Sequence, residues 1–124
     1  MGVKTVRELA NWKFGKWARS IVTLAKFEKE GARPADCMLN IDMALDKEHE
    51  GKSFTELLAL PVSALQGLTE KADACLKHHH VDTIEKLGSW KFFAIAESMV
   101  DLVDTEETMT PEERKQAREM KKLE

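Results

Sequence analysis

Tyrosine is absent, cysteine is limited to Cys37 and Cys75, and no apolar run approaches the length of about 20 residues that a membrane span needs. No hydrophobic signal region follows Met1, and Val6 stands where a myristoylation motif calls for serine or threonine. The expected setting is therefore intracellular, with the cytoplasm as the default. The two cysteines have neither CxxC spacing nor a disulfide framework, so reduced thiols are the default. Positive charge is also lacking: a net charge of −3 and a pI near 5.8 argue against holding nucleic acid by phosphate neutralisation. There is no nucleophile elbow, P-loop, Rossmann glycine set or H-E-x-x-H motif, and an enzyme is not expected. Asp42, Asp46, Glu48 and Glu50 lack EF-hand spacing and read as a solvated face. Cys75 with His78 or His79 falls at i, i+3 or i, i+4, but without an orienting third group.

What the chain does have is a duplication. Residues 81–103, VDTIEKLGSWKFFAIAESMVDLV, repeat residues 3–25, VKTVRELANWKFGKWARSIVTLA, at a constant offset of 78 and without a gap. The matches include Thr5 with Thr83, Leu9 with Leu87, the Trp12-Lys13-Phe14 triplet with Trp90-Lys91-Phe92, and Ala18 with Ala96. A shared hydrophobic period would match apolar classes, not a rare triplet in register with a threonine seven residues earlier. Each copy is predicted to form a short helix capped by Thr5 or Thr83, then a longer helix capped by Asn11 or Ser89. Glu8 completes a capping box in the first copy, whereas Lys86 replaces the acid in the second and predicts a weaker cap. Gly15 faces Phe93 across the alignment, and Trp17 faces Ile95, so the two copies differ where they present bulk.

Between the copies, the pattern predicts a helix over residues 34–48 with an apolar stripe of Met38, Ile41, Ala44 and Leu45. A second capping box, Ser53 with Glu56, opens a short helix that Pro61 stops. Residues 61–80 have the pattern of a helix-hairpin-helix: a short helix to Leu65, a turn at Gly67, a cap at Thr69 and a second helix carrying Ala72, Cys75 and Leu76. LTEKADACLK followed by V-x-T-I-x-x-L resembles the opening of the C-terminal domain of the bacterial RNA polymerase alpha subunit, a helix-hairpin-helix, SAM-like helical domain. In that family a later glycine- and lysine-rich hairpin contacts DNA; SWKFF stands there in this chain, and one of the usual two turn glycines is missing. The resemblance thus implies the fold and only a weak nucleic-acid reading. The longer string EGKSFTELLALPVSALQGLTEKADACLK, continuing into VDTIEKLGSWKFFAIAES, is similar to small helical domains of cyanobacteria and plastids, including haem-binding "domain related to iron" proteins. That resemblance implies a non-catalytic domain that pairs with itself or a partner, in some members around a haem, and a photosynthetic source, with the plastid stroma as an alternative setting.

The fold expected from these signals is all-α, with six to eight helices, organised as a domain over residues 1–104 and a charged helical tail over residues 105–124. The leading functional expectation is a non-enzymatic scaffold or linker that docks other proteins, or itself as a dimer, through Trp12, Phe14, Trp17, Trp90, Phe92 and Phe93. The alternative is a small haem-binding regulator with an axial ligand from His78, His79, His80 or His49, since neutral imidazole is a common haem ligand. Successive helical residues diverge by about 100°, so the three adjacent histidines cannot all reach one iron; their plain role is to close a helix end. The first copy lacks an upstream hairpin of its own. Either the hairpin over residues 61–80 serves both copies, or the first copy completes a unit in another molecule.

Overall fold

The duplicated unit folds the same way twice. In the computed structural model, which describes residues 2–28 and 40–123, helix α1 (Val6–Ala10) and helix α2 (Lys13–Ala25) form the first unit, and α5 (Ile84–Gly88) and α6 (Lys91–Leu102) the second. Thr5 Oγ1 accepts from the Glu8 amide at 3.1 Å, and Thr83 Oγ1 from the Lys86 amide at 3.2 Å. The corner bonds repeat as well: the Trp12 amide donates to the Leu9 carbonyl and the Trp90 amide to the Leu87 carbonyl, both at 3.2 Å. Equivalence extends beyond the matching letters. Gly2 and His80 share a left-handed backbone (φ 74° and 60°), and the Glu28 and Glu106 amides close the last turns onto Ala25 and Val103.

Two local expectations change. Asn11 and Ser89 end the short helices instead of capping the long ones; the extended residues at the long helices' starts are Trp12 (ψ 113°) and Trp90 (ψ 119°). Asn11 Nδ2 donates back to the Arg7 carbonyl, so its side chain serves the end of α1. Glu8 does not close a capping box on Thr5, because its carboxylate accepts from the Lys4 amide at 3.2 Å; in the second copy Lys86 pairs with Asp82 at 2.8 Å. The Lys86 hydrogen bond holds the Asp82 carboxyl below its ordinary range, but the pair is exposed and adds little.

The units pack on each other crosswise: α1 lies on α6, and α2 lies on α5. This is a pseudo-two-fold arrangement, and residues that align in sequence meet near its axis. The Phe93 ring covers Gly15, where an added Cβ would stand 2.7 Å from Phe93 Cε2. One turn further along, Arg19 pairs with its counterpart Glu97, whose buried carboxylate also takes Lys16 Nζ at 3.1 Å. Gly88 lets α5 approach α2 so closely that a Cβ would fall 2.5 Å from the Ala18 carbonyl oxygen. The first copy is thus partnered in the same chain by the second.

The described part of the intervening segment packs chiefly on one half of this pair, α2 and α5. Residues 34–39 of the expected third helix, with Cys37 and Met38, lie outside the described residues. The described remainder is not α-helical: it forms single 3-10 turns at Asp42–Ala44 and Lys47–His49. Leu45 is extended between them and bridges Leu65, with the Asp46 amide on the Ala64 carbonyl (2.9 Å) and the Gln66 amide on Ala44 (2.8 Å). Ser53 and Glu56 form the expected capping box of α3 (Phe54–Leu58). Pro61 then precedes a 3-10 turn at Val62–Ala64, Gly67 turns with φ 105°, and Thr69 caps α4 (Glu70–Lys77). Asp73 on α4 accepts from the Ser63 amide and hydroxyl, fixing this turn to α4; the short helix expected to run to Leu65 is thus a single 3-10 turn. Leu45, Leu57, Val62, Leu65, Leu76, Ile84 and Leu87 bury their side chains together with Ala18 and Ile21 of α2. Burying each of these larger side chains is worth about 1.5–3 kcal/mol.

Helix α4 ends in a Schellman motif: the His80 amide bonds the Lys77 carbonyl and the Val81 amide the Leu76 carbonyl, with His80 left-handed where glycine is usual. Backbone bonds, not imidazoles, therefore satisfy the last carbonyls. After a 3-10 turn at Val103–Thr105, Thr110 caps α7 (Pro111–Lys121), which buries none of its residues. Among the described residues there are seven α-helices and no strand.

Candidate interaction surface

Pseudo-symmetry makes each surface residue of one half comparable with a residue of the other. On the α2–α5 half, Ile21 is 3 % exposed and Ile84 fully buried, because α3 packs on both helices. On the α6–α1 half, the counterparts Met99 and Val6 are 57 % and 52 % exposed. The difference continues along the helices. Phe14 and Trp17 are half-buried on α2, while their counterparts Phe92 and Ile95 are exposed on α6. Leu24 and Leu102 are both exposed. Phe92, Ile95, Met99 and Leu102 fall at i, i+3, i+7 and i+10 and form one apolar stripe, with Ala94, Ile95, Ser98, Met99 and Leu102 lining a shallow open groove. A contiguous exposed apolar patch of this kind marks an interaction surface more often than a scattered residue does.

The aromatic residues expected to dock partners divide between core and surface. Trp12 and Phe93 are buried, so they hold the surface in place and do not present it. In the first copy, Phe14 stands edge-on to Trp12 (5.6 Å) and Trp17 (5.5 Å), with Lys13 Nζ over the Phe14 and Trp17 rings. The second copy keeps half of this cluster: Trp90 stands edge-on to Phe92 at 5.9 Å, under Lys91 Nζ. Of the six, Phe92 alone is fully part of the open stripe. Val6, Ile95, Met99 and Leu102 were not singled out from the sequence; the signal for them is that apolar residues of α6 exceed one buried face.

Of the histidines, only His79 adjoins the stripe, through Trp90, which stands against Phe92. His78, His79 and His80 are all exposed, with His79 tilted over Trp90 at 6.0 Å. His49 is half-buried, its Nδ1 3.0 Å from Lys52 Nζ and its Nε2 3.4 Å from Glu48. Among the described residues no group of three or more His, Cys, Asp or Glu side chains could hold a metal ion, and Cys75 is exposed. No helix of the described residues is long and apolar enough to cross a membrane. No protein-family model, curated protein or solved structure matches the chain.

Proposed function

We propose that the protein is a non-enzymatic docking module of a larger assembly, presenting the α6–α1 face to a protein partner. The observation that supports this most is the exposed stripe of Phe92, Ile95, Met99 and Leu102, whose counterparts Phe14, Trp17 and Ile21 on α2 lie under the chain's own packing. The rigid pseudo-two-fold pair is then a platform: one half is closed by the intervening segment, the other is free to bind.

Photo-crosslinking tests it. With p-benzoylphenylalanine at position 99 and the protein expressed in its native source, discrete crosslinked adducts are expected, absent when the same group stands at the solvated Lys115 on α7. Equal smears or no adducts at both positions would count against a docking function. A haem role would instead be carried by a Soret band in the purified protein that disappears on substituting His78, His79, His80 or His49.

A further inference from the structure

The closed half contains a second device, and the open half has its equivalent. Beyond the end of α2, the Glu28 carboxylate turns onto the start of α3: it accepts from the Phe54 amide at 2.7 Å, from the Thr55 amide at 3.1 Å and from the Thr55 hydroxyl at 2.9 Å. The segment that covers α2 and α5 is thus held twice, by apolar packing of Phe54, Leu57 and Leu58 and by a carboxylate at its unsatisfied amides. Glu106 is the residue equivalent to Glu28. It stands at the same step after α6, its amide closes the same turn, and among the described residues its exposed carboxylate has no hydrogen bond or ion pair. Apolar stripe and carboxylate are therefore both present, in the same order and spacing, on the α6–α1 half, where among the described residues only α7 comes near, its Arg114, Ala117, Arg118 and Lys121 lining a cavity with Leu102 and Glu106.

Resting on the docking function proposed above, we infer that the α6–α1 face binds a partner segment of the same chemistry as residues 53–60 of this chain: a short serine- or threonine-capped helix with apolar side chains at its first, fourth and fifth positions, whose first-turn amides meet Glu106. The complementarity is both steric and electrostatic, because the positive end of such a helix falls at the one carboxylate the pseudo-symmetry places there. The occupant is a different protein. In a second copy of this chain the equivalent segment is already engaged, with Leu57 fully buried and the Phe54 and Thr55 amides on Glu28.

The probe is an acetylated peptide of residues 51–68, GKSFTELLALPVSALQGL, titrated into the full-length chain and followed by labelled-peptide anisotropy and amide shift mapping. Saturable binding is expected, with shifts at Val6, Ile95, Met99 and Leu102. Met99→Lys should weaken it about ten-fold or more, as loss of a central contact does, and Glu106→Gln by a smaller factor. Both residues are exposed, so unchanged circular dichroism and thermal midpoints verify the fold of the variants. No saturation with the peptide in large excess would overturn the inference. So would shifts centred on Ile21 and Ile84, which mean displacement of the chain's own segment, or a dimer of the full chain that Met99→Lys dissolves. Crosslinking at position 99 without peptide binding would leave the docking function standing and remove only this partner chemistry.

Discussion

Ile21→Lys strongly destabilises the protein, and Met99→Lys, at the identical position of the second copy, leaves its stability almost unchanged. That pair of outcomes is expected because Ile21 is 3 % exposed beneath the intervening segment, whereas Met99 is 57 % exposed on the open half. An ammonium forced into the Ile21 site would lose its hydration with no acid placed to receive it, at a cost of at least about 3 kcal/mol. That consumes a large part of the total stability of about 5–15 kcal/mol typical of a small domain. At position 99 a lysine stem lies along the stripe with its head in water, and the change should stay within about 0.5 kcal/mol. Urea or thermal denaturation of the two variants decides the matter; similar losses in both would mean that the two halves are not closed and open.

The second large effect belongs to the axis between the copies. Phe93→Ala removes a side chain that is 1 % exposed and should cost about 3–5 kcal/mol, the usual range for emptying a buried aromatic site. Gly15→Ala in the natural chain places a methyl 2.7 Å from Phe93 Cε2 and should cost about 1–3 kcal/mol. In the Phe93→Ala background the methyl has room, and the same change becomes neutral or stabilising by up to about 1 kcal/mol, since alanine suits a helix interior better than glycine. The sign reversal is the diagnostic. A double-mutant cycle with additive losses would separate Gly15 from Phe93 and remove the pseudo-two-fold contact.

Much of this architecture was legible in the letters. The offset of 78, the threonine caps, the Ser53–Glu56 capping box and the hairpin turn at Gly67 each rest on local rules, and each local element forms. The crosswise pairing was not legible, because periodicity says that a helix has an apolar face without saying which helix covers it. A symptom did exist: glycine at position 15 opposite phenylalanine at position 93 is the small-against-large match that a shared axis requires. The third helix failed for a related reason. Ile41, Ala44 and Leu45 have helical spacing, yet Leu45 is used in an extended bridge to Leu65, where tertiary pairing overrides a short local pattern. The candidate surface was hidden because Ile21 and Met99 are the same class of residue; only the position of residues 41–68 makes one core and the other surface. Trp12 and Phe93 attracted a binding role by size, and size is also what filled the core with them.

The claim on which the rest depends is that one packing position is closed in the first copy and open in the second. Methyl NMR with a soluble paramagnetic agent measures it in the free protein, by comparing relaxation at the Ile21 and Met99 methyl groups. Strong broadening of Met99 with Ile21 protected is the expected result; equal protection or equal broadening of the two would contradict the account.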